Sequence, residues 1–287
     1  MQTPTSPSAD SDPATQALSD RPWSMLMDRA LGKARAVPTM LSGEEQRLYY
    51  WLTAFWAEGA GEIVDLGCFA GGSTARLAEG LDVSGHDVRV HAFDRFTAGE
   101  DVKRSILYPQ GIAPFEGTDI LPLAQDLLAP WGERIRFHRG EIDGMDWGGD
   151  PIELLVMDAS KAADTMDRMA ETFLPHLVPG RSLLVQQDFL HWSQPWVPVQ
   201  MERLAAFFTP LVHVPRDTLV FLCHRRPTRE ELCAARTADL SDEVLLSYLE
   251  MAHERYADWG LAARLDETIL GLRANPGKRR AFQFKRP

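Results

Sequence analysis

Short apolar runs alternate with segments of helical periodicity through most of this chain. Ile63, Val64 and Leu66 sit in the first run, and residues 88–94, 134–139, 152–157 and 182–186 form the next four. The run of Ile63, Val64 and Leu66 suits a strand inside a parallel sheet. Between the runs, Leu77, Ala78 and Leu81 recur at helical spacing, and residues 121–128, 162–177 and 197–208 read as further helices. Two more strands, residues 211–214 and 218–224, follow. The alternation predicts an α/β fold with a doubly wound, mostly parallel, seven-stranded Rossmann-like sheet.

The flanks differ. Residues 1–22 are rich in Ser, Thr, Pro, Asp and Ala and read as a disordered tail. A short helix is expected over 23–33. Ser42 with Glu45 three residues on is a capping-box pattern. It opens a helix whose Leu48, Trp51, Leu52, Phe55 and Trp56 share a face, expected to pack on the sheet edge or cover a ligand pocket. Residues 96–122 form a long Gly- and Pro-containing loop of the kind that often binds ligands. Residues 23–226 thus read as one domain, followed by a helical extension over 227–287. There Leu245, Tyr248, Leu249, Ala252 and Tyr256, then Leu261, Leu265, Ile269 and Leu272, predict two amphipathic helices. Covering the core, capping the site and pairing subunits in a homo-oligomer all fit that pattern.

Composition narrows the function. The net charge of -11 argues against a general nucleic-acid binder, which needs a basic face for phosphates. The basic run Lys278, Arg279, Arg280, Lys285 and Arg286 reads as a solvated terminus. Cys68, Cys223 and Cys233 are scattered, with no zinc spacing, and suggest a reducing compartment. No apolar run approaches the length of a membrane helix, and no secretory signal is visible, so a cytoplasmic protein without a membrane partner is expected. No G-x-S-x-G elbow supports hydrolase chemistry.

The chemistry concentrates after the first strand, in Asp65-Leu-Gly67-Cys-Phe69-Ala-Gly71-Gly72-Ser73-Thr74. Glycines permit a sharp turn and close approach of a ligand, and Ser73 starts a helix. Asp94 ends the second strand, where a carboxylate can bond both ribose hydroxyls of a nucleoside. A dinucleotide turn needs G-x-G-x-x-G, but Phe69 stands at its second glycine, which disfavours a nicotinamide-dependent oxidoreductase. Asp65 would repel a diphosphate and welcome an ammonium. S-adenosylmethionine has that ammonium and no phosphate.

Here the chain resembles the class I methyltransferases, whose first motif matches Asp65, Gly67 and Gly71. Asp158 and Asp188 end strands four and five and face the expected site of a small-molecule acceptor, as general base or as ligands of a divalent cation. His191 is an alternative base. Trp192 and Trp196 read as an aromatic wall or, more simply, as core. Residues 38–224, through Pro38–Glu45, Phe93-Asp94, Met157-Asp158 and Gln187-Asp188-Phe189, are similar to the macrocin O-methyltransferase family. The resemblance implies methylation of a sugar or natural-product hydroxyl, often with magnesium. It implies Asp158 and Asp188 as metal ligands, although Gln187 replaces an expected aspartate and Ser160 another. It also implies that Glu141 and Ile142 frame the adenine. A non-catalytic binding protein on the same fold is the alternative.

Overall fold

The computed structural model describes residues 17–287, so most of the expected 1–22 tail lies outside the described residues. Leu18 is already fully buried. The seven strands are β1 (Glu62–Leu66), β2 (Val90–Asp94), β3 (Ile135–Arg139), β4 (Ile152–Met157), β5 (Leu183–Gln186), β6 (Phe208–Val214) and β7 (Thr218–Cys223). They form one sheet in the order β3-β2-β1-β4-β5-β7-β6. Pairings from β3 to β5 are parallel, and β7 runs antiparallel to both β5 and β6. This is the mostly parallel seven-stranded sheet that the sequence predicts.

Both faces are covered, and strand parity divides the core. Ile63, Val90, Ala92, Leu154, Val156, Leu183 and Val185 point to one cluster. Val64, Leu66, Phe93, Leu155, Met157 and Leu184 point to the other. Helix Gly72–Ser84 lies on the first face, and helices Ala163–Phe173 and Trp196–Arg203 on the second.

The segment expected to be helical over 23–33 is instead two 3₁₀ pieces, Pro22–Met25 and Asp28–Ala36, the latter broken at Gly32 (φ 46°). Helix Gly43–Trp51 begins with the predicted capping box of Ser42 and Glu45. It continues as a π-turn, Leu52–Trp56, and packs on helix Gly72–Ser84, where Thr53 Oγ1 donates to the Leu77 carbonyl at 2.8 Å. Phe55 leaves the expected apolar face and is exposed. The 96–122 loop folds back on itself, with Lys103 Nζ donating to the carbonyls of Phe115 and Gly117 at 2.8 and 2.9 Å.

The extension comprises helices Arg229–Ala234, Asp242–Arg255 and Ala262–Ala274. Leu245, Leu249, Ile269 and Leu272 bury against Val199 of the Trp196–Arg203 helix, so these helices cover the second face. The basic tail is not simply solvated. It returns as a strap whose Arg280 pairs with Ala162 in a β-bridge, while Ala281 donates to the Lys161 carbonyl at 2.8 Å.

Candidate functional site

The carboxyl ends of β1, β2 and β4 open into a cleft of about 470 Å³, within the usual size of small-ligand sites. Gly67, Phe69, Asp94, Asp158 and Lys161 line it, together with Glu141, Ile142, Arg280 and Phe282. Gly67 must be glycine on two counts. Its φ is 111°, and a Cβ would meet the Asp158 carbonyl oxygen at 2.9 Å.

Asp94 does two jobs at once. Oδ2 accepts the Phe69 amide at 2.9 Å, and Oδ1 accepts the Phe96 amide at 2.6 Å. A carboxylate has about four lone-pair sites, so each oxygen keeps one for a ligand. Phe69 and Phe96 both adopt left-handed backbone (φ 51° and 55°), a conformation that non-glycine residues pay to hold. The turn's amides are largely spent. Gly67 and Cys68 donate to the Phe93 carbonyl, Phe69 to Asp94, and Gly71 to the Cys68 carbonyl. No cradle of free N–H groups is left at these four positions for a diphosphate.

Asp65 is placed differently from the sequence expectation. It is fully buried and accepts from Ser73 Oγ and Thr74 Oγ1 at 2.7 and 2.5 Å, while its Oδ1 is buried without a partner. The side chain braces the turn from behind and does not line the cleft. Burial pushes it up to about 6, against the pull of the Thr74 and Ser73 hydrogen bonds. Gly71 (φ 100°) caps the helix against Leu128. Ser73, besides bracing Asp65, lines a small recess beside the cleft with Thr39 and Met40. Glu141 is exposed and pairs with Arg95 at 3.8 Å, and Ile142 is buried beside it.

Beside Asp158 stands a lysine that carries no motif signal. Lys161 Nζ lies 3.3 Å from Asp158 Oδ1 and also bonds Asp188 Oδ2. Burial pushes the Asp158 carboxyl up to about 7, with Lys161 holding it down and Asp188 adding to the rise. Burial works against the Lys161 charge, but the two carboxylates outweigh it and raise the ammonium above its ordinary value.

Where the resemblance implies metal ligands at Asp158 and Asp188, the structure places the Lys161 ammonium against both carboxylates. Gln187 cannot help. Its Oε1 accepts from the Tyr49 hydroxyl at 2.5 Å and its Nε2 donates to Glu45 Oε1 at 2.8 Å. Glu45 also accepts from Thr218 Oγ1 at 2.7 Å. Burial first, then the Asp158 charge, lifts the Tyr49 hydroxyl well above its usual range and keeps it a donor. No group of three or more His, Cys, Asp or Glu fit to hold a metal occurs among the described residues.

His191 Nδ1 bonds Ser193 Oγ at 3.0 Å. Neither His191 nor Asp188 is among the side chains that line the cleft itself. Trp196 is core, with Nε1 donating to the Ser160 carbonyl at 2.7 Å, and Trp192 packs on Phe284. The simpler reading of both tryptophans holds. Arg280 and Phe282 had no sequence signal beyond the basic run, since only the strap brings them to the cleft.

No family model matches the chain, and no curated protein matches it. Solved structures do. A methyltransferase from Podospora anserina, PaMTH1, bound to SAH, aligns with TM-score 0.46 and 10% identity over 78% of this chain and 100% of that one. CalO1, a methyltransferase in calicheamicin biosynthesis, also SAH-bound, gives 0.34 and 12% over 62% and 54%. Human N-acetylserotonin methyltransferase with SAM gives 0.34 and 13% over 75% and 69%. Likenesses this distant carry no weight for activity. Among the described residues no helix is long and apolar enough to cross a membrane.

Proposed function

We propose that the chain is an S-adenosylmethionine-dependent methyltransferase acting on a hydroxyl of a small molecule. The observation that carries this is the state of the glycine turn. Its amides at 67, 68, 69 and 71 are committed internally, while Asp94 and Asp158 present carboxylates on either side of the bare Gly67 backbone. Such a site disfavours a diphosphate and suits a nucleoside with a cationic tail. The same spent amides weigh against a nicotinamide cofactor.

The residues fit that cofactor. Asp94 keeps lone pairs for two ribose hydroxyls, Ile142 offers an apolar wall for the base, and Gly67 lets the chain of the ligand pass. When bound, the cofactor supplies the methyl group from its sulfonium. The protein's share is alignment of the acceptor with that group. Asp158, with its proton affinity raised near neutrality, is placed to take the proton that the acceptor hydroxyl gives up. Phe282 and Met40, both exposed at the cleft, offer apolar surface for the acceptor. A sugar or natural product, as the macrocin-type resemblance implies, remains the proposed acceptor class.

Calorimetric titration of S-adenosylmethionine into wild-type protein and Asp94→Ala tests the reading. Micromolar binding that the substitution abolishes is expected. No binding to a folded wild-type sample overturns it. Because Asp94 also ties the turn, a thermal melt of the variant separates lost cofactor contacts from a lost fold.

A further inference from the structure

We infer that the Lys161 ammonium holds the position between Asp158 and Asp188 that a divalent cation would take, so that the acceptor side of the cleft works with a tethered organic cation. The term acceptor rests on the methyltransferase reading; the cation position does not, since it depends only on these three side chains.

The backbone fixes the lysine at its root. Lys161 N–H donates to the Ala159 carbonyl at 2.9 Å, and its own carbonyl accepts from Ala281 at 2.8 Å. The next residues are clamped as well, through the Ala162–Arg280 bridge and the Ala163 amide on the Arg279 carbonyl at 2.9 Å. A short reach from this fixed point puts Nζ against both carboxylates. Asp188 is only 12% exposed in its side chain and Asp158 22%, so each needs a counter-charge at hand.

Little neutral oxygen is on offer to complete a metal site. A magnesium ion takes six ligands near 2.1 Å, several of them waters, around one or two ionised carboxylates. Gln187 is bound to Tyr49 and Glu45. Ser160 is buried, its carbonyl taken by Trp196 and only its hydroxyl unpartnered. Two carboxylates already satisfied by an ammonium offer a dication little reason to displace it. The ammonium performs one part of a metal's work, supplying positive charge beside the acceptor oxygen, and it cannot chelate two oxygens at once.

Electron paramagnetic resonance titration with Mn²⁺ alone tests this on the full chain, in wild type, Asp188→Asn, Lys161→Met, Lys161→Arg and Lys161→Met with Asp188→Asn. Wild type and Lys161→Arg are expected to bind no Mn²⁺ at this site. Lys161→Met, which keeps the stem, is expected to gain a site at least roughly tenfold tighter, because the two carboxylates lose their counter-charge. Adding Asp188→Asn is expected to abolish that gain. Wild-type binding of Mn²⁺ that Asp188→Asn removes would overturn the inference. So would a Lys161→Met protein, folded by circular dichroism, that binds no better than wild type. S-adenosylmethionine titrations on the same samples report on the methyltransferase reading separately.

Discussion

The Phe69 amide donates to Asp94 Oδ2 at 2.9 Å, so the carboxylate proposed to bind a ribose also holds the glycine turn in shape. Its other oxygen holds Phe96. Asp94→Ala removes both bonds and leaves two amides without their acceptor. A stability loss of about 2–3 kcal/mol is expected, together with loss of cofactor binding. Asp94→Asn keeps one acceptor oxygen and should fall between. Urea unfolding and calorimetry on the three proteins check that order. A fully stable Asp94→Ala would show that the turn is held by other means.

Gln187 stands where the resemblance expects an aspartate, and its neighbours explain why an acid does not suit. Glu45 Oε1 lies 2.8 Å from Gln187 Nε2. Gln187→Asp replaces that donor with a carboxylate facing another carboxylate, and shortens the side chain away from Tyr49. A destabilisation of about 2–4 kcal/mol at neutral pH is expected. It should ease as the pH falls and one of the acids takes a proton. Tyr49→Phe leaves Gln187 Oε1 unpaired and should cost about 1–3 kcal/mol without that pH dependence. Equal pH profiles for the two variants would contradict the like-charge account.

Asp65 gives a pH prediction of opposite sense to the usual carboxylate. Its folded value, about 6, is raised above the ordinary 3.8. The folded state therefore binds the proton more tightly than the unfolded chain. The resulting stabilisation is fully present below about pH 4 and is lost as the pH rises through 6. The size is about 2–4 kcal/mol at one raised unit per 1.36 kcal/mol. Asp65→Asn, neutral at every pH, should remove this slope and be at least as stable as wild type at pH 7. Unfolding curves from pH 4 to 8 (about the span that matters) decide it, read as wild type minus variant. The subtraction matters because His138, pushed down to about 4 by burial and by the neighbouring His91 and Arg136, makes stability fall as the pH drops over much of the same range.

How much of this was legible follows from where each signal is stored. β4 is legible with its observed bounds because Ile152–Met157 is apolar apart from Glu153 and lies between turn residues. β6 begins earlier than the expected 211–214 because it is an edge strand, where Pro210, having no donor, is tolerated at a break in register. The helix expected to reach residue 208 stops at Arg203 because Phe208 joins that strand. Asp94, Gly67 and Asp158 line one cleft because strand ends in this fold converge. Asp65 was misjudged by parity: it points to the face that carries helix Gly72–Ser84, where Ser73 and Thr74 meet it. Lys161 and Arg280 reach the cleft through a loop and a strap, and tertiary contacts of that kind leave no periodic trace.

The strap depends on a buried acid that the motifs did not mark. Asp167, 2% exposed on helix Ala163–Phe173, accepts from the Thr237 and Ala238 amides at 2.9 Å, from Thr237 Oγ1 at 3.1 Å and from Gln200 Nε2 at 3.0 Å. Burial raises its proton affinity, and these donors oppose the rise. Asp167 thereby fastens the start of the extension to the second face of the sheet. Asp167→Ala strands four donors in a closed space and is expected to cost about 2–4 kcal/mol. The loss should be local before it is global, because the sheet core makes no use of this carboxylate. Hydrogen exchange is expected to quicken across helices Asp242–Arg255 and Ala262–Ala274 while β1 and β4 keep their protection. Faster exchange at the Ala163 and Ala281 amides should accompany it, since both are bonded across the strap that hangs from the same extension. Unchanged protection in the extension would mean that Leu245, Leu249 and Leu272 hold it in place without the acid.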